Sequence, residues 1–167
     1  MDILAHGLWS GLAARAVNIR IRWAIFWGVA PDFFAFTIPF IVMFARGILP
    51  FRPGEPPRDI DLIFRHTTTL YSISHSLIVF GAVFGLVYLV LRRPVWELLA
   101  WGMHILIDIP THSYDFYPTP FLWPLSDLKV NGISWATPWF LAVNYFAIVL
   151  VFLLLRKKKK HEAEIQH

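Results

Sequence analysis

The sequence predicts an all-α integral membrane bundle of about five helices, a count that rests on apolar runs approaching the length needed to cross a bilayer. Apolar residues make up 57% of the chain and charged residues only 16%, with a mean hydropathy of +0.56. Basic residues collect in a few clusters at the ends of those runs, as they do beside membrane-crossing segments. Residues 1–155 read as a single membrane-embedded domain, and residues 156–167 as a polybasic cytoplasmic tail.

Taken in order, Ile3–Ile19 is apolar and helix-compatible but contains His6, Gly7, Gly11 and Arg15. A cleaved signal peptide is disfavoured, because Asp2 stands where basic residues belong and His6-Gly7 breaks the apolar core. An interfacial helix is one remaining reading. The other, adopted here, is a membrane-embedded or re-entrant first helix that enters from outside, turns at Asn18–Arg22 and returns as Trp23–Phe44. That second run is apolar but interrupted at Pro31-Asp32 and Pro39. An outer loop over residues 46–73 follows, with the Pro-, Arg- and Asp-rich insert Arg46–Arg65 inside it. Ser74–Leu91 and Val95–Ile109 then form a hairpin. The second of these is short for a span and is expected to run on towards His112 or to be shielded by protein. A second outer loop, 110–133, is rich in Pro and aromatics, and Ser134–Leu155 is the last span.

Positive charge orients the chain. Arg15/Arg20/Arg22, Arg92-Arg93 and Arg156–Lys160 are expected in the cytoplasm, which places the N-terminus outside and the C-terminus inside. Arg46, Arg52, Arg58 and Arg65 in the first outer loop run against this rule; Glu55, Asp59 and Asp61 offset them in part. The formal net charge of +4 is accounted for by these clusters, and nothing indicates nucleic-acid binding. The 8 Trp, 15 Phe and 5 Tyr supply interfacial belts and helix packing. With no cysteine, a transition-metal site must use His nitrogen and carboxylate oxygen, a set suited to Zn, Mn or Fe.

Against this background His104-Ile105-Leu106-Ile107-Asp108 stands out. A charge at the bilayer centre costs about 2.5–3.5 kcal/mol on insertion scales, so ionisable groups there usually face protein and mark a functional site. The i, i+4 spacing puts both heads on one helix face, and His112 extends that face past Pro110, which must kink or end the helix. Asp32 follows Pro31 inside an apolar run and needs a cation or hydrogen-bonding partner. His75 sits between Ser74 and Ser76. Each residue alone reads equally well as a satisfied packing group. Five of them, His6, Asp32, His75, His104 and Asp108, on four apolar segments, favour a shared ion that neutralises them together.

The motifs Met1-Asp2-Ile3-Leu4-Ala5-His6, Gly28-Val29-Ala30-Pro31-Asp32, Ser74-His75-Ser76 and His104–Asp108 with Thr111-His112, in that order, resemble the bacterial membrane-bound, metal-dependent hydrolase family that includes LexA-regulated inner-membrane members. Pro120-Phe121-Leu122-Trp123-Pro124 resembles a later segment of that family. Through it the pattern is similar to zinc-dependent phospholipase C, in which a His, an Asp, another His and an H-x-x-x-D helix build a multinuclear zinc site for phosphodiester hydrolysis. The chain departs from the pattern in two places. Many members carry a His-Arg pair shortly before the His-Ser motif, where this chain has Leu70-Tyr71, and His66 lies too far upstream to substitute. The phospholipases' further helix, with a His and a Glu for an extra zinc, has no counterpart, because His161, Glu162, Glu164 and His167 lie in the tail.

The resemblance implies a hydrolase of the bacterial inner membrane holding one or two divalent ions, zinc first. Asp32, His75, His104 and Asp108 form the principal site, and His6 holds a second ion that shares Asp108, with Asp2 at its edge. His112 is a late ligand or the general acid, and Asp108 and His112 are the expected catalytic pair. Asp115 and Asp127 are weaker candidates. A site at the outer interface walled by Phe116, Tyr117, Phe121, Trp123 and Trp135 suits an amphipathic substrate, a phospholipid or other lipid-linked phosphate. Two other classes stay open: a small ion or proton transporter, and a non-catalytic membrane module in which polar residues join helices and Arg156–Lys160 recruits lipid or protein partners.

Overall fold

A computed structural model describes residues 1–47, 60–115 and 118–165. It holds six α-helices and one 3-10 turn, and no strand among the described residues: α1 Ile3–Ala16, α2 Ile21–Ala45, α3 Ile60–Ser74, α4 Leu77–Leu91, the 3-10 turn Trp96–Leu98, α5 Leu99–Thr111 and α6 Pro138–Ile165. The all-helical class matches the sequence expectation. The count of about five does not, because residues 60–73, read as loop, belong to α3; α3 ends at Ser74, α4 begins at Leu77, and the two are bent by 57°. Ser76 makes this break, its hydroxyl accepting from Ile78 N and Val79 N as the N-cap of α4.

Two further boundaries differ from expectation. The outer loop assigned to 46–73 gives way to α3 from Ile60, because Tyr71 is buried and α3 packs on α2; the insert's residues 48–59 lie outside the described residues. The tail at 156–167 continues α6 as helix to Ile165. In α2 the interruptions expected at Pro31 and Pro39 do not occur, and one helix of 25 residues runs through both. A proline removes one N–H donor, a loss that a helix flanked by others can absorb; α1, α3 and α5 all pack on α2.

Two helices are long and apolar enough to cross a membrane, α2 and the stretch Pro138–His161 of α6; the bent pair of α3 and α4 makes a third candidate if counted as one span. Polarity is inverted relative to a water-soluble core. His6, His75 and His104 are among the largest fully buried side chains, while Phe33, Phe40, Ile41, Leu89, Val90, Phe146 and Leu153 are exposed. Such a surface suits hydrocarbon, where burying apolar groups gains nothing and satisfying polar ones decides the packing.

α1 is the linchpin between α2 and α6. Asp2 caps it by accepting from Ala5 N at 2.9 Å and also accepts from the Tyr145 hydroxyl of α6 at 2.9 Å. Trp9 Nε1 donates to Asn144 Oδ1 at 3.0 Å, and Met1, Ala5 and Leu12 bury against Ile148. On its other side Ser10 lies so close to Gly28 that a Cβ there would collide with the serine Oγ and Cβ. Asn18, at φ 60, makes the tight turn into α2, and Arg20 Nε donates to Glu97 Oε1 at 2.6 Å, tying that turn to the 3-10 segment. This hydrogen bond and charge hold the Glu97 carboxyl below its ordinary range and raise Arg20.

Two consequences are measurable. Gly28→Ala should lower stability by about 1–3 kcal/mol through overpacking, and Ser10→Gly in the same chain should recover part of it in thermal unfolding in detergent. Because the folded Glu97 pKa is depressed, its contribution is present above the unfolded value of about 4.3 and is lost as pH falls through the lower folded value. Glu97→Gln should therefore reduce the melting temperature at pH 7, and that difference should shrink as pH falls below about 4.3 and vanish only below the depressed folded value.

Candidate metal centre

Three segments deliver the site. Asp32 is the twelfth of the 25 residues of α2, His75 lies at the break between α3 and α4, and His104 and Asp108 are one turn apart on α5. One donor atom from each lies within 4.8 Å of all the others, and all four residues are buried. His75 Nε2 stands 3.5 Å from Asp32 Oδ1 and 3.4 Å from Asp108 Oδ2. His104 Nε2 stands 3.8 Å from Asp32 Oδ1, 3.2 Å from Asp108 Oδ2 and 3.0 Å from His75 Nε2.

The outer hydrogen bonds fix what those nitrogens can be. His104 Nδ1 lies 2.7 Å from the carbonyl of Gly28, which can only accept, so Nδ1 carries the proton. His75 Nδ1 lies 3.2 Å from the Tyr71 carbonyl and 2.9 Å from Ser74 Oγ, and Ser74 itself donates to the Tyr71 carbonyl, so here too Nδ1 is the donor. In neutral imidazoles both Nε2 atoms are then acceptors, and they face each other across 3.0 Å. Asp108 Oδ2, a further acceptor, has no hydrogen-bond partner, and neither has Asp32 Oδ2 behind the cluster. One added proton could bridge one pair of these atoms. Four converging acceptors are what a cation requires.

The donor set passes the test of size. Nitrogen and oxygen ligands about 2.0–2.1 Å from a tetrahedral ion stand about 3.3 Å from one another, and the separations above, 3.0–3.8 Å, bracket that edge. The supporting shell is also the one that metal-binding histidines use, each ring giving its second N–H to a backbone carbonyl. Pro31 contributes indirectly, because its ring crowds the preceding turn, which contains the Gly28 carbonyl. Tyr71 stacks on His75 at 3.8 Å and 21°, and His6 stacks on His104 at 3.7 Å and 23°, holding both rings flat in place.

The remaining sequence candidates divide. His6 and His112 come to the site but stand outside the four-donor set. His6 Nε2 is 2.8 Å from Asp108 Oδ1, with its Nδ1 buried and without a partner. His112, at the C-cap of α5 in extended conformation, directs Nδ1 at the Asp108 carbonyl (3.2 Å) and Oδ1 (3.4 Å). Asp108 thus bridges two environments, Oδ2 towards His75 and His104, and Oδ1 towards His6, His112 and the amino group of Met1. Asp2 caps α1 through Oδ1 while its Oδ2 is buried without a partner, and Asp115 and Asp127 are exposed. Phe116 and Tyr117 lie outside the described residues.

Asp32 is near the middle of α2, whereas His75 precedes the start of α4 and Asp108 lies near the end of α5, where residues 118–137 are hydrogen-bonded to the chain. Leu77 N donates to Phe121 O, and Ser76 Oγ to Trp123 O. Gly132, Ile133 and Trp135 donate to the carbonyls of His112, Pro110 and Thr111. Missing from the sequence reading were the Gly28 and Tyr71 carbonyls, Ser74 and the Met1 amine. Only Ser74, adjacent to His75, carried a readable signal.

No family model, curated protein or solved structure matches the chain.

Protein purified in detergent should retain a divalent ion by elemental analysis. His104→Ala or Asp108→Ala should abolish that retention in folded protein, and Ser74→Ala should keep the stoichiometry while weakening affinity about tenfold. Unchanged metal content in the first two variants removes them as ligands.

Proposed function

We propose that this chain is a membrane-bound, metal-dependent hydrolase that cleaves a phosphoester of a lipid or other amphipathic substrate. The observation that carries the proposal is the convergence of Asp32 Oδ1, His75 Nε2, His104 Nε2 and Asp108 Oδ2 inside an apolar helical bundle. The ordered motifs that resemble the bacterial inner-membrane hydrolases support it, and that resemblance is also the basis for assigning the bacterial inner membrane, while the positive-charge clusters are the basis for a cytoplasmic C-terminus.

In this reading those four side chains hold the ion, with zinc first and Mn or Fe next for a two-His, two-carboxylate set. When bound, a divalent ion supplies Lewis acidity and lowers the pKa of water from about 15.7 towards 7. The chain's own residues do the rest. Asp108 keeps one oxygen for the cluster while its other oxygen is held by His6 Nε2, so that His6 fixes the carboxylate plane. His112 is the expected proton donor to the leaving oxygen. Its Nδ1 is anchored on the Asp108 carbonyl, which sets the ring at the edge of the cluster rather than within it. The bundle's exposed apolar faces suit chains that remain in lipid while a head group enters.

The test uses protein in lipid nanodiscs loaded with zinc or manganese and presented with radiolabelled phospholipids of defined head group. Wild type should release a water-soluble phosphorylated or free head group. Asp108→Asn should lose release entirely, and His112→Ala should reduce it about 10²–10⁴-fold while retaining metal. Metal retained without turnover on any phosphoester, together with metal or proton flux across vesicles, would replace the hydrolase with the transporter reading. Metal absent and flux absent would leave the polar cluster a structural device.

A further inference from the structure

The fold gathers charge at the end of the bundle away from the segment that covers the metal centre. Arg15 at the end of α1 lies over the Phe152 ring of α6, 5.6 Å from its centroid, and Arg156 follows one turn later on α6. Arg20 and Arg22 begin α2, and Arg20 reaches Glu97. Arg92 and Arg93 end α4 immediately before that same 3-10 segment. With Lys157–Lys160 this brings ten of the chain's fifteen Lys and Arg to one end. All but the half-buried Arg15 are exposed. Two ion pairs are described there, Arg20 with Glu97 and Lys160 with Glu164.

Height along α6 decides what this charge can meet. From Pro138 to Leu155 the helix carries no charged residue, a length of about 27 Å at 1.5 Å per residue, close to the hydrocarbon thickness of about 30 Å. Arg156 therefore falls where head groups begin. The helix does not end there, so four successive lysines at 3.6 residues per turn point in four directions around the axis. A disordered tail could trail into water. A helix holds its lysines at that level, where their stems can lie along apolar surface and their ammonium groups reach phosphate.

We infer that this basic end is an interaction surface for anionic phospholipid head groups, a collar formed jointly by α6, the α1–α2 turn and the α4–α5 connection. Head groups occupy this height in any bilayer the helix crosses, whereas a nucleic acid or acidic protein would have to approach from outside. Clusters of four to eight basic residues next to a membrane helix attract anionic lipid, with each residue near the surface contributing about fivefold in binding. The collar is independent of the metal centre.

Spin-labelled phosphatidylglycerol and phosphatidylcholine, compared in vesicles of phosphatidylcholine holding the full chain, test the inference. The immobilised fraction should favour phosphatidylglycerol about fivefold or more in 50 mM salt and lose most of that preference in 0.5 M salt, where the Debye length is only a few ångströms. Replacing Lys157–Lys160 with Gln should remove about half or more of the preference, and Arg92→Gln with Arg93→Gln should reduce it further, while Lys129→Gln in the distant segment should leave it unchanged. The salt comparison needs only wild type, so a variant that fails to fold does not leave the question open. Equal immobilisation of the two lipids by wild type in low salt overturns the inference. So does displacement of phosphatidylglycerol by an RNA duplex at lower concentration than by anionic vesicles.

Discussion

The structure depends on four acceptor atoms that face one another in the buried interior of the bundle. Two imidazoles are locked by backbone carbonyls into tautomers that turn their lone pairs inward, and two carboxylates add negative charge to the same point. Left unneutralised, such a group would repel itself apart, and in hydrocarbon the cost of each unsatisfied polar atom is several kcal/mol. Most of the chain's departures from regular structure serve this arrangement. The α3–α4 break carries His75 in from its own segment, α2 runs on through Pro31 so that Asp32 and the Gly28 carbonyl arrive together, and α5 ends after Asp108 so that His112 can turn back on it.

Support for the cluster comes from small residues as much as from polar ones. Gly28 lets α1 approach α2 closely enough for His6 to stack on His104, and α1 is held in turn by Asp2, Trp9 and the apolar contacts to α6. Without a hydrophobic drive between helices in lipid, close approach and side-chain hydrogen bonds have to supply association. The metal centre and the helix packing are therefore one problem. The groups that hold α1 against α2 and α6 also hold the ring that flanks His104 and the hydrogen bond that orients Asp108.

Much of this was legible because ionisable residues are conspicuous in apolar sequence. His104 and Asp108 announce a shared face by their spacing, and Asp32 announces itself by following a proline in an apolar run. That His6, Asp32, His75, His104 and Asp108 come together could be argued from charge cost alone. Which four of them converge on one point could not. His6 and His112 have the same chemistry as the other two histidines, and what sets them apart is that their nitrogens meet Asp108 Oδ1 and the Asp108 carbonyl rather than the shared point. The orienting groups are mostly backbone carbonyls, which every residue has and no sequence marks. Boundaries failed where local composition competed with packing. The polar insert drew residues 60–73 into a predicted loop, although the buried face of α3 outweighs it, and Ser76 was read as part of a span when its hydroxyl is a helix cap.

The four side chains are enclosed by the bundle and by the segment that follows α5. The four ligands are 0–6% exposed, and residues 118–137 cover them through hydrogen bonds to the segments that follow His75 and Asp108. Access to this point requires that segment to lift or the helices to part, so the cover and the cluster share the same neighbouring residues. Ser76 caps α4, binds the Trp123 carbonyl and follows His75 directly. One residue thus links the covering segment to His75. Burial of this kind keeps water away from the four side chains, which strengthens every electrostatic interaction among them.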